Sequence, residues 1–144
     1  MHEAVTSMMD EAQEKFDEQI EVYENISKQL EHNISVINLL TDENDYRSLK
    51  NPYNLERQNR QEELDFYTRQ KDYWKFYLEH LEKGTDEWEK AKEKYNEAAE
   101  AWADALETAI TAARTEFENN IKIIFQDLNN LLTYNKGLDY INTQ

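Results

Sequence analysis

Only three residues in this 144-residue chain, Pro52, Gly84 and Gly137, are of the two types on which tight turns chiefly depend. A sheet protein of this length needs many such turns, so most β and α/β folds are excluded before any pattern is read. With 39% hydrophobic and 12% aromatic residues, the chain is also too apolar for a solvating disordered tail. The absence of Cys excludes a disulfide scaffold, a thiolate metal site and a cysteine nucleophile. What remains is an all-α chain with room for one core.

The apolar spacing predicts three helices. In the first, over about 3–40, a stripe runs from Val5 through Met9, Phe16, Tyr23, Leu30 and Ile37 to Leu40, ten steps over 35 residues. That mean of 3.5 is the coiled-coil period. Residues 41–54 read as a linker, with Asn51 capping a second helix that starts near Pro52 and runs over about 53–83. Tyr46 and Leu49 are expected to form a short turn folded back on the bundle. Leu64, Tyr67, Lys71, Trp74, Leu78 and Leu81 then step in threes and fours, and a second row with Phe66 and Tyr73 lets this helix touch two partners. Gly84 is the helix stop, and Thr85 or Asp86 caps the next helix.

The third helix is expected over about 86–133, ended by Gly137 and followed by an apolar tail of Leu138, Tyr140 and Ile141. Its stripe runs from Trp88 to Leu131 in twelve steps over 43 residues, a mean of 3.58. Alanines between Ala91 and Ala113 leave space for the large aromatics of the second helix. At a rise of about 1.5 Å per residue, the first helix should be nearly 60 Å long and the third about 70 Å. These lengths describe an elongated antiparallel three-helix coiled coil, a helical hairpin rod forming one domain over 1–144. The stripe is already running at Val5 and the tail has no terminator, so the chain reads as a piece of a longer protein.

Charge divides by helix. Residues 1–45 carry a net −10, 46–83 carry +1 and 84–144 carry −6, giving −15 overall. The second helix therefore lies between two acidic ones and offsets them, with Arg57, Arg60, Arg69, Lys71 and Lys75 as contributors. An acid excess of this size also repels nucleic acid and anionic membranes. No apolar run approaches the roughly 20 residues that span a bilayer, and Met1–Asp10 lacks the features of a signal peptide. The triplets Asn25-Ile26-Ser27 and Asn33-Ile34-Ser35 read as ordinary helix surface.

The residues offer little to catalysis. A di-iron bundle needs Glu-x-x-His, but His32 follows Gln29 and His80 follows Tyr77. Three scattered His and no Cys make no zinc site, and Asp42 and Asn44 lack the glycine turn of a calcium loop. Two isolated glycines make no phosphate cradle. Asp and Glu fall mainly off the apolar stripes, where water keeps them ionised, and no Ser–His pair has supporting context. The expectation is no enzyme, no cofactor, no metal and no small-molecule substrate. Trp74, Trp88 and Trp102 read first as core; the alternative is an exposed patch that meets another chain, together with Phe117, Ile121, Ile124, Leu128 and Leu131.

From Asp72 to Ile110 the sequence DYWKFYLEHLEKGTDEWEKAKEKYNEAAEAWADALETAI resembles coiled-coil hairpins in large virion proteins of tailed bacteriophages, such as tape-measure and virion-interior proteins. An aromatic-rich arm, the Gly84-Thr85-Asp86-Glu87-Trp88 corner and an Ala-rich return arm carry the likeness. Ile124–Asn130 and Gly137–Tyr140 extend it, so that it covers roughly Leu64 to Ile141. It implies a structural role with no catalytic residues to transfer. The chain departs from that family in size, tape-measure proteins being far longer. The expected function is a non-enzymatic structural protein of a phage tail or virion that meets a protein partner or a second copy through exposed helix faces. Its location is the virion, or the cytoplasm if the chain is not phage-derived. The alternative is a secretion- or toxin-associated binding module or adaptor. Small secreted hairpins of that kind carry a Trp-x-Gly turn, whereas here Gly84 precedes Trp88.

Overall fold

Three helices account for the described residues, 2–41 and 45–143, of the computed structural model. They are α1 (His2–Leu40), α2 (Tyr46–His80) and α3 (Asp86–Thr143), and no strand occurs among the described residues. Their 39, 35 and 58 residues correspond to about 59, 53 and 87 Å at 1.5 Å per residue. α2 runs antiparallel to both neighbours and lies between them, pairing Ser27 of α1 with Asn59 and Trp102 of α3 with Thr68. α1 and α3 barely meet; Met9 shares the buried cluster with Ala91 and Ala98, and Lys90 Nζ pairs with Asp10 Oδ1 at 2.6 Å.

The core sits where α2 is most aromatic and α3 most alanine-rich. Trp74 is fully buried against Met9, Ala91 and Ala98, with Phe16, Tyr73 and Tyr95 packed around it. An alanine presents only a methyl group, so the indole can sink between two of them while the backbones approach. On the other side of α2, Phe16 meets Tyr73 edge-on at 5.3 Å and Trp74 at 6.0 Å, and Phe66 lies 5.8 Å from both Phe16 and Tyr23. The double row of aromatics on α2 thus serves two partners, as its spacing predicts.

The hairpin corner follows from two residues. Gly84 takes φ +88°, the left-handed region that a side chain would strain. Thr85 is the cap of α3: its Oγ1 donates to the Glu82 carbonyl at 2.7 Å and accepts from Trp88 N at 3.3 Å. Asp86, Glu87 and Glu89 then occupy the positive first turn of α3.

Three boundaries differ from the expected ones. α2 starts at Tyr46 rather than 53, because Asp45 caps it: its carboxylate accepts from Ser48 N at 3.3 Å and Ser48 Oγ at 2.8 Å. Pro52 therefore lies inside the helix, where it leaves the Ser48 carbonyl without its usual partner. The cost is bearable because Ser48 is exposed to water. Tyr46 and Leu49 do fold onto the bundle, though as part of α2, with Leu49 buried and the Tyr46 carbonyl accepting from Asn119 Nδ2 at 2.8 Å. Of the expected linker, residues 46–54 are thus helical, and residues 42–44, with Asp42 and Asn44, lie outside the described residues. α2 ends at His80, not 83, where Leu81 turns extended. α3 runs through Gly137 to Thr143 instead of ending near 133. Glycine in a helix interior costs about 1 kcal/mol relative to alanine, a penalty and not a stop.

Replacing Trp74 by Ala should cost about 3–5 kcal/mol of unfolding free energy, read from urea denaturation. Trp74→Phe should cost far less, since the buried indole Nε1 has no hydrogen-bond partner to lose.

Candidate interaction surface

The stripe read along α3 does not stay on one face. From Trp88 to Trp102 it lies against α2, with Ala91 and Ala98 buried and Trp88, Tyr95 and Trp102 half-buried. Below that, the row facing α2 continues in strict threes and fours through Ala105, Ala109, Ala112, Glu116, Asn119 and Ile123, all buried or half-buried. The apolar residues instead step by four three times in succession, from Ala109 to Ala113, Phe117 and Ile121. Each such step turns a straight helix by about 40°, so the apolar stripe swings by about 120° off the seam.

The lower seam is therefore mixed. Towards α2, Leu49 and Ile123 are buried and polar groups add to the hold between the helices. Glu116 accepts from Arg57 Nε at 2.8 Å and from Asn54 Nδ2 at 2.9 Å, and Arg47 pairs with Asp127. Away from α2, Phe117 stands 65% exposed, Ile124 53%, Leu128 51% and Leu131 55%. Ile121 is half-buried. Of the eight sequence candidates, these five share one face. The tryptophans do not join them. Trp74 is core, with no surface to offer. Trp88 Nε1 donates to the Leu78 carbonyl at 3.1 Å and Trp102 Nε1 to Thr68 Oγ1 at 3.0 Å, with Lys71 Nζ 4.0 Å from the centre of the Trp102 ring.

Phe125 and Leu132, within the stretch 114–133 that the sequence offers to a partner, are exposed on the same face, and so is Ile110, which lies outside that stretch but seven residues before Phe117. Ser27 differs from the helix surface expected of its triplet. Ser27 is buried, and its Oγ accepts from Asn59 Nδ2 at 2.8 Å. Nothing local in either helix announces that pairing.

A second feature lies between α1 and α3, where α2 forms the floor of an open groove. One cavity in it, about 230 Å³, is lined by Glu24, Arg60, Glu63, Tyr67, Asp104 and Thr108 among others. Arg60 reaches Glu56 at 2.8 Å, Glu63 at 3.2 Å and Glu31 at 3.6 Å. Burial works against the Arg60 charge, but Glu56 and Glu63 outweigh it and hold its pKa above the ordinary guanidinium value. Burial raises Glu63, with Arg60 pulling it part of the way back. Burial and the nearby Glu63, Glu24 and Asp17 push Tyr67 up to about 12. Arg60 thus engages one oxygen of each acid, while Glu56 Oε2 and Glu63 Oε2 are buried without a hydrogen-bond partner. No group of three or more His, Cys, Asp or Glu that could hold a metal exists among the described residues.

No protein-family model, curated protein or solved structure matches the chain. No helix among the described residues is long and apolar enough to cross a membrane.

Tyr67 and Tyr73, both raised to about 12 from 10, hold their protons more tightly folded than unfolded. Stability is therefore fully present below pH 10 and lost as pH rises towards 12. Tyr67→Phe should move the alkaline unfolding midpoint upwards, as followed by circular dichroism. For Glu63, whose folded pKa is likewise raised, stability should fall as pH rises above 4.5 through that raised value. Glu63→Gln should flatten that slope.

Proposed function

We propose that this chain is a non-enzymatic structural element that works by packing, in a coiled-coil part of a phage tail or virion structural protein. The observation that supports an assembly role is the apolar stripe of α3. It lies on the face turned away from α2, while the seam facing α2 is held in part by Glu116, Asn119 and Arg57. Contiguous exposed apolar surface of this extent is uncommon on a monomer and marks a place where another chain docks. The long helices set length and stiffness, and the stripe recruits what lies beside them. The acid excess of −15 keeps the rod from adhering to nucleic acid. Placement in a virion is supported by the aromatic–corner–alanine likeness of Asp72–Ile110 to phage coiled-coil hairpins.

Mass spectrometry of purified virions from the source should find peptides of this chain. Their absence there, with recovery alongside secretion components, would favour the adaptor reading. At concentrations too low for association, the double variant Ile124→Glu/Leu128→Glu should leave the unfolding free energy of the single chain within about 0.5 kcal/mol of the parent, because both side chains are already exposed on it. It should nonetheless fail to enter particles.

A further inference from the structure

The last stretch of α3 has no neighbouring helix. Residues 128–138 are exposed all round. Leu128–Thr143 corresponds to a helix of about 24 Å that projects past the start of α2. Its sequence is a poor helix former by itself, with Asn129, Asn130, Thr133, Asn135 and Gly137 in quick succession. A short helix of that composition is marginal in water unless something packs on it.

We infer that the α3 stripe is a dimer interface, on which a second copy of this chain lies antiparallel, with Ile124 of each copy level with Leu128 of the other. The inference rests on reading the stripe as an assembly surface. Phe117, Ile124, Leu131 and Leu138 alternate with Ile121, Leu128 and Asn135 in steps of four and three, the seam of a two-stranded coiled coil. In the antiparallel register the two series face each other, so Ile121 of one copy also meets Leu131 of the other. Each projecting end then covers the outward face of its partner's α3 above residue 127. That face is free to be covered, because α2 packs on the opposite side of the helix at Glu116, Asn119 and Ile123.

Surface area and charge both favour a second copy. Six large apolar side chains between Phe117 and Leu132 are 51–65% exposed on this face. Together they offer on the order of 600 Å² per copy, within the range of roughly 600–1,000 Å² that each partner of a specific interface buries. Across 114–138, the stretch that this register overlaps, the charged residues are Arg114, Glu116, Glu118, Lys122, Asp127 and Lys136, a net charge of zero in a chain of −15. Antiparallel overlap confines contact to this stretch and holds the two acidic bundles at opposite ends, whereas a parallel pair would set them side by side. On one flank of the stripe, Lys136 falls within reach of Glu118 of the second copy, twice by symmetry.

The test is sedimentation equilibrium of the full chain with matched variants. The parent should show twice the 17.3 kDa chain mass, and Ile124→Glu/Leu128→Glu should weaken association at least about 100-fold. Lys136→Glu should weaken it about tenfold, and adding Glu118→Lys should restore it to within about threefold of the parent. With no cysteine in the chain, a spin label on Leu138→Cys reports orientation, about 36 Å between copies if antiparallel and under about 20 Å if parallel. A short distance, or no rescue by the double charge swap, overturns the antiparallel pairing. A parent that stays monomeric at about 0.5 mM overturns the second copy as occupant of the stripe. The two readings fail separately. A monomer that still enters virions through Ile124 and Leu128 sinks the dimer and keeps the assembly role, whereas a dimer absent from virions keeps the pairing and sinks the virion placement.

Discussion

The indole of Trp74, sunk between the methyl groups of Ala91 and Ala98 with Met9 closing over it, is the contact on which the arrangement turns. Large-against-small packing brings the α2 and α3 backbones close enough for Trp88 and Trp102 to donate across the seam, to the Leu78 carbonyl and the Thr68 hydroxyl. Phe16 and Phe66 extend the same aromatic cluster to α1. With α2 serving both neighbours, α1 and α3 have little need to touch, and the groove between them stays open.

Away from that cluster the bundle changes character. Asn59 with Ser27, Arg60 with Glu31, and Arg57 with Glu116 replace apolar layers by hydrogen bonds and ion pairs between helices. Such contacts add less net stability than apolar burial, yet they penalise wrong registers, since a one-step slip would strand buried polar groups. A partly polar seam frees the apolar side chains of α3 to face outwards, and that division of labour separates the part of the helix that completes the fold from the part that meets another chain.

Helix number, the middle position of α2 and the Gly84 corner were legible because each depends on local chemistry: spacing, charge blocks and one residue able to adopt positive φ. The start of α2 was not. Asn51 before Pro52 has the look of a cap and a first turn, but Asp45 holds Ser48 and Leu49 is buried, so packing carries the helix back across the proline. The stripe from Phe117 to Leu131 was legible as a candidate surface. Its separation from Trp74, Trp88 and Trp102 was not, because a run of apolar residues does not disclose which neighbour occupies which side.

The sequence by itself determined that the chain is helical, how its helices are ordered and which residues are apolar, since these follow from backbone preference and periodicity along one strand of residues. Only the tertiary structure decided which apolar row is inside. A helix rotates by about 100° per residue, so three steps of four in place of alternating threes and fours move a stripe from the seam to the outer face. Whether the neighbouring helix follows the apolar row or keeps to Glu116 and Asn119 is settled by partners far away in the chain, Arg57, Asn54 and the Tyr46 carbonyl.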